Sequence, residues 1–193
     1  VLAYMPQIWT SDNSDAIARL KIQYSTSIAY PSSAISAHVT ASPNHQNGRV
    51  TPLKTRADVA YAGIFGYELD ITKMSDEEIE EVKKQIEYAT KLRALMIDCD
   101  FYRLQSPYET NNCTWETVSK DKKEAFVMTC RVLTNVHTKL EEGFKLCGLD
   151  PNADYRDENT GIVYGGDVLM YQGIVPEYGQ YDFASITYHF VRV

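Results

Sequence analysis

The hydrophobic pattern changes period near residue 98, and that change limits the architectures open to the chain. The stretch before it, "SDEEIEEVKKQIEYATKLRALM", is a well-marked helix. Ser75 stands at the N-cap position with Glu78 three residues on, which is the capping-box pattern. Acids crowd its first turns and bases its later ones, as the helix dipole prefers. Ile79, Val82, Ile86, Ala89, Leu92 and Met96 recur at helical spacing and predict a buried stripe. After it come short β-rich runs: "FYRLQS", "TWETVS", "EAFVMTCRVL", "GIVYGGDVLMY" and "FASITYHFVRV". Turn signals separate them, including Lys120-Asp121-Lys122-Lys123 and a hairpin signal at Tyr164-Gly165-Gly166-Asp167. Strands so spaced predict an antiparallel sandwich. The fold class is α/β followed by all-β. The expected domains are 1–98 and 99–193, with the boundary between residues 97 and 106.

The first half opens with "VLAYMPQIW", which reads as a buried strand. Domain boundaries usually fall in exposed linkers, so an apolar opening with no initiator Met predicts a piece of a longer protein, cut upstream of Val1. After the strand, Ser14 is the expected N-cap of a helix that begins at Asp15 and carries Ile17, Leu20, Tyr24 and Ile28 at helical spacing. A loop rich in Ser, Ala, Pro, His and Asn is expected from Pro31 to Pro52, with a turn at Asn47-Gly48. A second helix is expected from Thr55 to Phe65, stopped near Gly66.

Composition removes several function classes. A net charge of -7 argues against nucleic acid, whose phosphates require a basic face. No segment has the apolar length of a membrane helix. Cys99, Cys113, Cys130 and Cys147 form no Cys-x-x-Cys pair, which disfavours a metal or thioredoxin-type site and predicts free thiols in a reducing cytoplasm. His38, His45, His137 and His189 have no neighbour at metal-ligand spacing and are expected to be structural or surface residues. Asp150-Pro-Asn152-Ala-Asp154 begins as a calcium loop does. Tyr155 and Gly161 stand where Gly and Glu are needed, so a polar turn is expected. Asn112-Cys113-Thr114 matches a glycosylation acceptor by its letters alone. Trp115 and the fourteen tyrosines offer either sheet packing or a sugar-binding face.

The residues that most invite a chemical reading are Trp9-Thr10-Ser11-Asp12-Asn13-Ser14-Asp15. In α/β folds, ligands meet the carboxyl ends of strands, where the chain turns into the next helix. Asp15 fits a helix cap. Asp12 is left over from that duty, and stands open as a cap, a metal ligand or a general acid/base. Trp9 stands open as core or as one wall of a sugar site.

The stretch "YMPQIWTSDNSDAIARLKIQY", continued by "AHVTASPNHQNGRVTPLKTR", resembles the microbial α-galactosidases of glycoside hydrolase family 36. The likeness runs on through "GIFGYELD" and "DFYRLQSP" into the β half. It implies the end of a (β/α)8 barrel (the last strand with its helices) followed by a C-terminal antiparallel β-sandwich domain. It also implies hydrolysis of terminal α-linked galactose, as in melibiose and raffinose, with retention and without a cofactor or metal. Asp12, the first aspartate of the Ser-Asp-x-x-Asp corner, takes the general acid/base role, and Asp12 and Trp9 become substrate-binding residues. The family's nucleophile lies in a Lys-Trp-Asp segment that this sequence lacks, as it lacks the Cys- and Gly-rich stretch before the strand. The fragment alone is then expected to be inactive. Ser25 replaces a Gly that the family often carries, a mild gain in helix propensity. The resemblance further implies a homo-oligomer, commonly a tetramer. The competing expectation is a non-catalytic β module for carbohydrate binding or subunit assembly.

Overall fold

The computed structural model describes residues 3–134 and 142–193. His137 lies outside the described residues. The chain divides into two compact units, residues 1–97 and 98–193.

The first unit is a run of parallel strand-helix pairs. Ile8 makes a parallel bridge to Ile35. Helix α1 (Ala16–Ala29) leads to strand β1 (Ser36–Thr40), helix α2 (Leu53–Ala60) to strand β2 (Ile64–Glu68), and α3 (Asp76–Ile97) closes the unit. β1 and β2 are parallel, in register from Ser36 opposite Ile64 to Thr40 opposite Glu68. The barrel portion is thus larger than one last strand with its helices: three successive chain segments run side by side. The opening residues correct the expected strand to a single bridge at Ile8. β1 lies inside the stretch expected to be loop. The second helix ends at Ala60, and Phe65 and Gly66 belong to β2.

Alternation along β1 separates two environments, because successive side chains of a strand point to opposite faces. Ala37 and Val39 are wholly buried, with Leu20 of α1 and Ala57, Val59 and Ala60 of α2 also in the core. The buried guanidiniums tie helices to strand ends. Arg19 donates to the Ser36 carbonyl, and Arg56 donates to the Thr40 carbonyl. Gly63 leaves no room for a side chain: a Cβ there would stand 2.6 Å from the Ile35 carbonyl oxygen.

The capping box of α3 is formed. Ser75 N donates to Glu78 Oε2 at 3.0 Å and Glu78 N to Ser75 Oγ at 3.3 Å. Its inward face is rotated from the expected stripe. Gln85, Leu92, Leu95 and Met96 are buried, while Ile86 is exposed. Gln85 turns inward because its Oε1 accepts from the Tyr67 hydroxyl of β2 at 2.8 Å.

The second unit is a six-stranded antiparallel sheet in the order β3-β4-β5-β8-β6-β7. The strands are β3 (Cys99–Gln105), β4 (Asn112–Ser119), β5 (Glu124–Arg131), β6 (Asp154–Asp157), β7 (Val163–Gly165) and β8 (Ala184–Arg192). The Lys120–Lys123 turn joins β4 to β5, with Lys122 in the left-handed region at φ 59°. The expected hairpin at Tyr164–Asp167 is instead the end of β7 followed by one π-helical turn, Val168–Gln172. Phe144, Leu146, Leu149 and Leu169 pack over Val118, Val127, Tyr155 and Phe190 of the sheet. Among the described residues this covering layer is irregular chain and the π-helical turn, tied by the Phe144–Ile174 bridge. The four cysteines carry no disulfide. Asp150 opens the expected polar turn, accepting from Asn152 N, and pairs with Arg192. His189 is held by Glu124 at 2.7 Å. Trp115 is fully buried in β4, so it offers no ring to a sugar.

Glu116 is the costly residue of this unit. It is fully buried, and its Oε2 accepts from Cys147 N at 2.8 Å, while Oε1 has no partner. Burial disfavours the charged form and pushes the Glu116 carboxyl up to about 8 from an ordinary 4.5, partly offset by the Cys147 hydrogen bond. The unfolded chain releases this proton near pH 4.5 and the folded chain near pH 8. The neutral carboxyl therefore contributes fully below about pH 4.5, and that contribution is lost as pH rises to about 8. We expect Glu116→Gln, a neutral isostere, to flatten this loss by up to about 5 kcal/mol, read from urea unfolding at a series of pH values. An unchanged slope would contradict a protonated Glu116.

Candidate active site

The corner between Ile8 and α1 is ordered by its own hydrogen bonds. Asn13 N donates to Ser11 Oγ at 3.1 Å, and Asp15 N to Asn13 Oδ1 at 3.1 Å. Asp15, rather than Ser14, is the N-cap of α1, its side chain accepting from Ala18 N at 3.0 Å. Ser14 Oγ instead accepts from Asn44 Nδ2 at 3.4 Å. The Asp15 carboxylate is buried and also ion-pairs with Arg49. The structure therefore spends Asp15 on the fold and leaves Asp12 exposed.

Asp12 is nevertheless oriented. Trp9 Nε1 donates to Asp12 Oδ1 at 3.0 Å, and Gln46 Nε2 donates to the Asp12 carbonyl at 2.9 Å. Asn44 in turn holds Gln46, accepting from its backbone N at 3.0 Å. Trp9 is 46% exposed in this chain. Its ring lies 4.8 Å from that of His38, tilted by 57°. Around them stand Ser11, Ser14, Arg19 and Ser36, lining a small recess. Arg19 donates to Thr10 Oγ1 at 2.7 Å and to Gln23 Oε1 at 3.2 Å; desolvation lowers its affinity for the proton to about 10, against the opposing pull of Glu68. His38 Nδ1 lies 3.9 Å from a Glu68 carboxylate oxygen. Desolvation lowers the His38 pKa; Glu68 opposes and Arg19 reinforces this.

The site residues expected from sequence, Asp12 and Trp9, are thus joined by a hydrogen bond. His38, Glu68, Gln46 and Arg49 were not singled out by pattern for this corner. His38 and Glu68 lie two register positions apart on neighbouring parallel strands, a relation visible only once β1 and β2 are paired. His45 is exposed on the same loop. Among the described residues, no group of three His, Cys, Asp or Glu side chains could hold a metal ion, and no helix is long and apolar enough to cross a membrane.

Residues 1–98 match the Melibiase family model, and residues 112–190 match the glycosyl hydrolase family 36 C-terminal domain. The chain belongs to glycoside hydrolase family 36. It is 51% identical, over all 193 residues, to 26% of the α-galactosidase AgaA of Geobacillus stearothermophilus. It is 46% identical, over 98% of its length, to 26% of the α-galactosidase Mel36A of Lactobacillus acidophilus. A crystal structure of an AgaA variant in complex with raffinose superposes with a TM-score of 0.95 at 50% identity, covering all of this chain and 26% of that one. The chain therefore spans about a quarter of the length of these relatives. Its first unit is the end of the family's barrel and its second the C-terminal β domain.

The two carboxylates of the corner should separate cleanly on substitution. Asp15→Ala removes a cap and one buried ion pair, and should cost about 2–3 kcal/mol. Asp12→Asn should change stability by no more than about 0.5 kcal/mol. Thermal unfolding of the two variants checks this, and equal losses would contradict the division.

Proposed function

We propose that this chain is the C-terminal portion of a retaining α-galactosidase. Residues 1–98 belong to its catalytic (β/α)8 barrel, residues 99–193 form the C-terminal β domain, and Asp12 is the general acid/base. The observation that carries the reading is the exposed Asp12 carboxylate, oriented by an indole N–H, at the carboxyl ends of parallel strand segments. That is where α/β barrels assemble their catalytic groups.

In the first half-reaction a partner carboxylate attacks C1 of galactose and the C1–O bond to the leaving sugar breaks. The proton of Asp12 passes to the departing oxygen. In the second, Asp12 takes a proton from water, the oxygen of that water bonds to C1, and the ester to the partner carboxylate is released. The partner is assigned to the part of the relatives that this chain does not span, since the sequence has no Lys-Trp-Asp segment. Retention requires the two carboxyls to stand about 5–5.5 Å apart. The open face of Trp9 supplies an apolar wall for the sugar. Melibiose- and raffinose-type galactosides are the proposed substrates, supported by the raffinose held by an AgaA variant. The four cysteines, none of them in a disulfide, agree with a cytoplasmic location, and we extend to the parent enzyme the homo-oligomeric state that the family resemblance implies.

The isolated chain should not hydrolyse p-nitrophenyl α-galactoside. In the full-length enzyme, Asp12→Asn should lower turnover of raffinose by about 10²–10⁴-fold. Azide, a small nucleophile that needs no base, should partly restore turnover of the aryl galactoside. Unchanged raffinose turnover in Asp12→Asn would remove Asp12 from the acid/base role.

A further inference from the structure

A line of four side chains crosses the three parallel segments of the first unit: Asp12 and Trp9 beside Ile8, His38 on β1 and Glu68 on β2. Only the first link is a hydrogen bond, from Trp9 Nε1 to Asp12 Oδ1 at 3.0 Å. The second is a ring contact, His38 against Trp9 at 4.8 Å. His38 Nδ1 is buried and has no hydrogen-bond partner, and Glu68 stands too far off, at 3.9 Å, to be one. Gly66 is the register partner of His38 on β2, and a Cβ there would lie 3.0 Å from His38 Cδ2, so the bare backbone of Gly66 leaves room for the ring. A partly exposed indole such as Trp9 has freedom to turn about its side-chain torsions, and turning carries Nε1 away from Asp12.

We propose that His38 is a positioning residue for the acid/base step: its ring holds the Trp9 indole in the orientation that bonds Asp12 Oδ1, which leaves Oδ2 for the leaving oxygen. The proposal rests on the α-galactosidase reading above. Because Nδ1 makes no bond, the imidazole acts through shape.

The test uses the full-length enzyme and compares kcat/KM on raffinose, whose leaving sugar needs a proton, with kcat/KM on p-nitrophenyl α-galactoside, whose leaving group does not. His38→Ala should lower the raffinose value by about 10–100-fold and the aryl value by less than about 3-fold. Trp9→Phe, which loses the N–H and part of the sugar wall, should lower both values, the raffinose value by about 10–100-fold more than the aryl value. The double variant should be no worse than Trp9→Phe within about 2-fold, since His38 acts through the indole. His38→Phe, which keeps a flat ring, should recover most of the raffinose value. Equal loss on both substrates, or multiplying losses in the double variant, would overturn the proposal. If His38→Ala fails to fold, His38→Phe and Trp9→Phe decide it: a selective loss in His38→Phe as large as that in Trp9→Phe overturns it. Asp12→Asn separates the two claims. If it leaves raffinose turnover intact, the α-galactosidase reading fails; if it abolishes turnover while the His38 variants behave as the parent, only the positioning role fails.

Discussion

The corner depends on the buried carboxylate of Asp15. It caps α1 by accepting from Ala18 N and it pairs with Arg49, so one side chain fixes both where the helix starts and where the 41–50 loop returns. A buried charge is tolerated only when it is paired and hydrogen-bonded, and Asp15 is both. With Arg49 anchored, Asn44 reaches Ser14 and holds Gln46, and Gln46 bonds the Asp12 carbonyl. The direction of the Asp12 side chain is thus set by a framework in which Asp12 itself has no structural duty.

Two carboxylates three residues apart then do different work because their environments differ. Asp15 is withdrawn from water and committed to donors on its own helix and on the loop. Asp12 stays exposed and accepts one N–H from Trp9, which leaves the other oxygen unspent. A single oriented donor is a compromise suited to acid/base work: it fixes geometry without saturating the carboxylate. The corresponding device in the second unit is the reverse. Glu116 is buried with one oxygen unbonded, so it lowers stability at high pH and has no exposed oxygen to offer.

The parts of this structure that were legible in the sequence are those set by local rules. The Ser75–Glu78 capping box and the antiparallel hairpin of β4 and β5 depend on residues close in the chain, and both are present as read. Parallel pairing was not legible. β1 is only five residues long, and its apolar face is just the small Ala37 and Val39, packed in the core, while its other face carries the polar Ser36, His38 and Thr40. β2 contains Gly66, which reads as a helix stop until the His38 ring is seen against it. The choice of Asp15 over Ser14 as cap was hidden for the same reason: Arg49, which favours it, is thirty-four residues away. Asp12 and Trp9 were legible as a motif, and their hydrogen bond was not.

The most direct test of the account is a crystal structure of the full-length Asp12→Asn enzyme with raffinose bound. The account predicts the glycosidic oxygen of the galactose within about 3.2 Å of the residue-12 carboxamide, with the Trp9 indole N–H on the other side of that group. A glycosidic oxygen more than about 5 Å away, with another carboxyl beside it, would contradict the account.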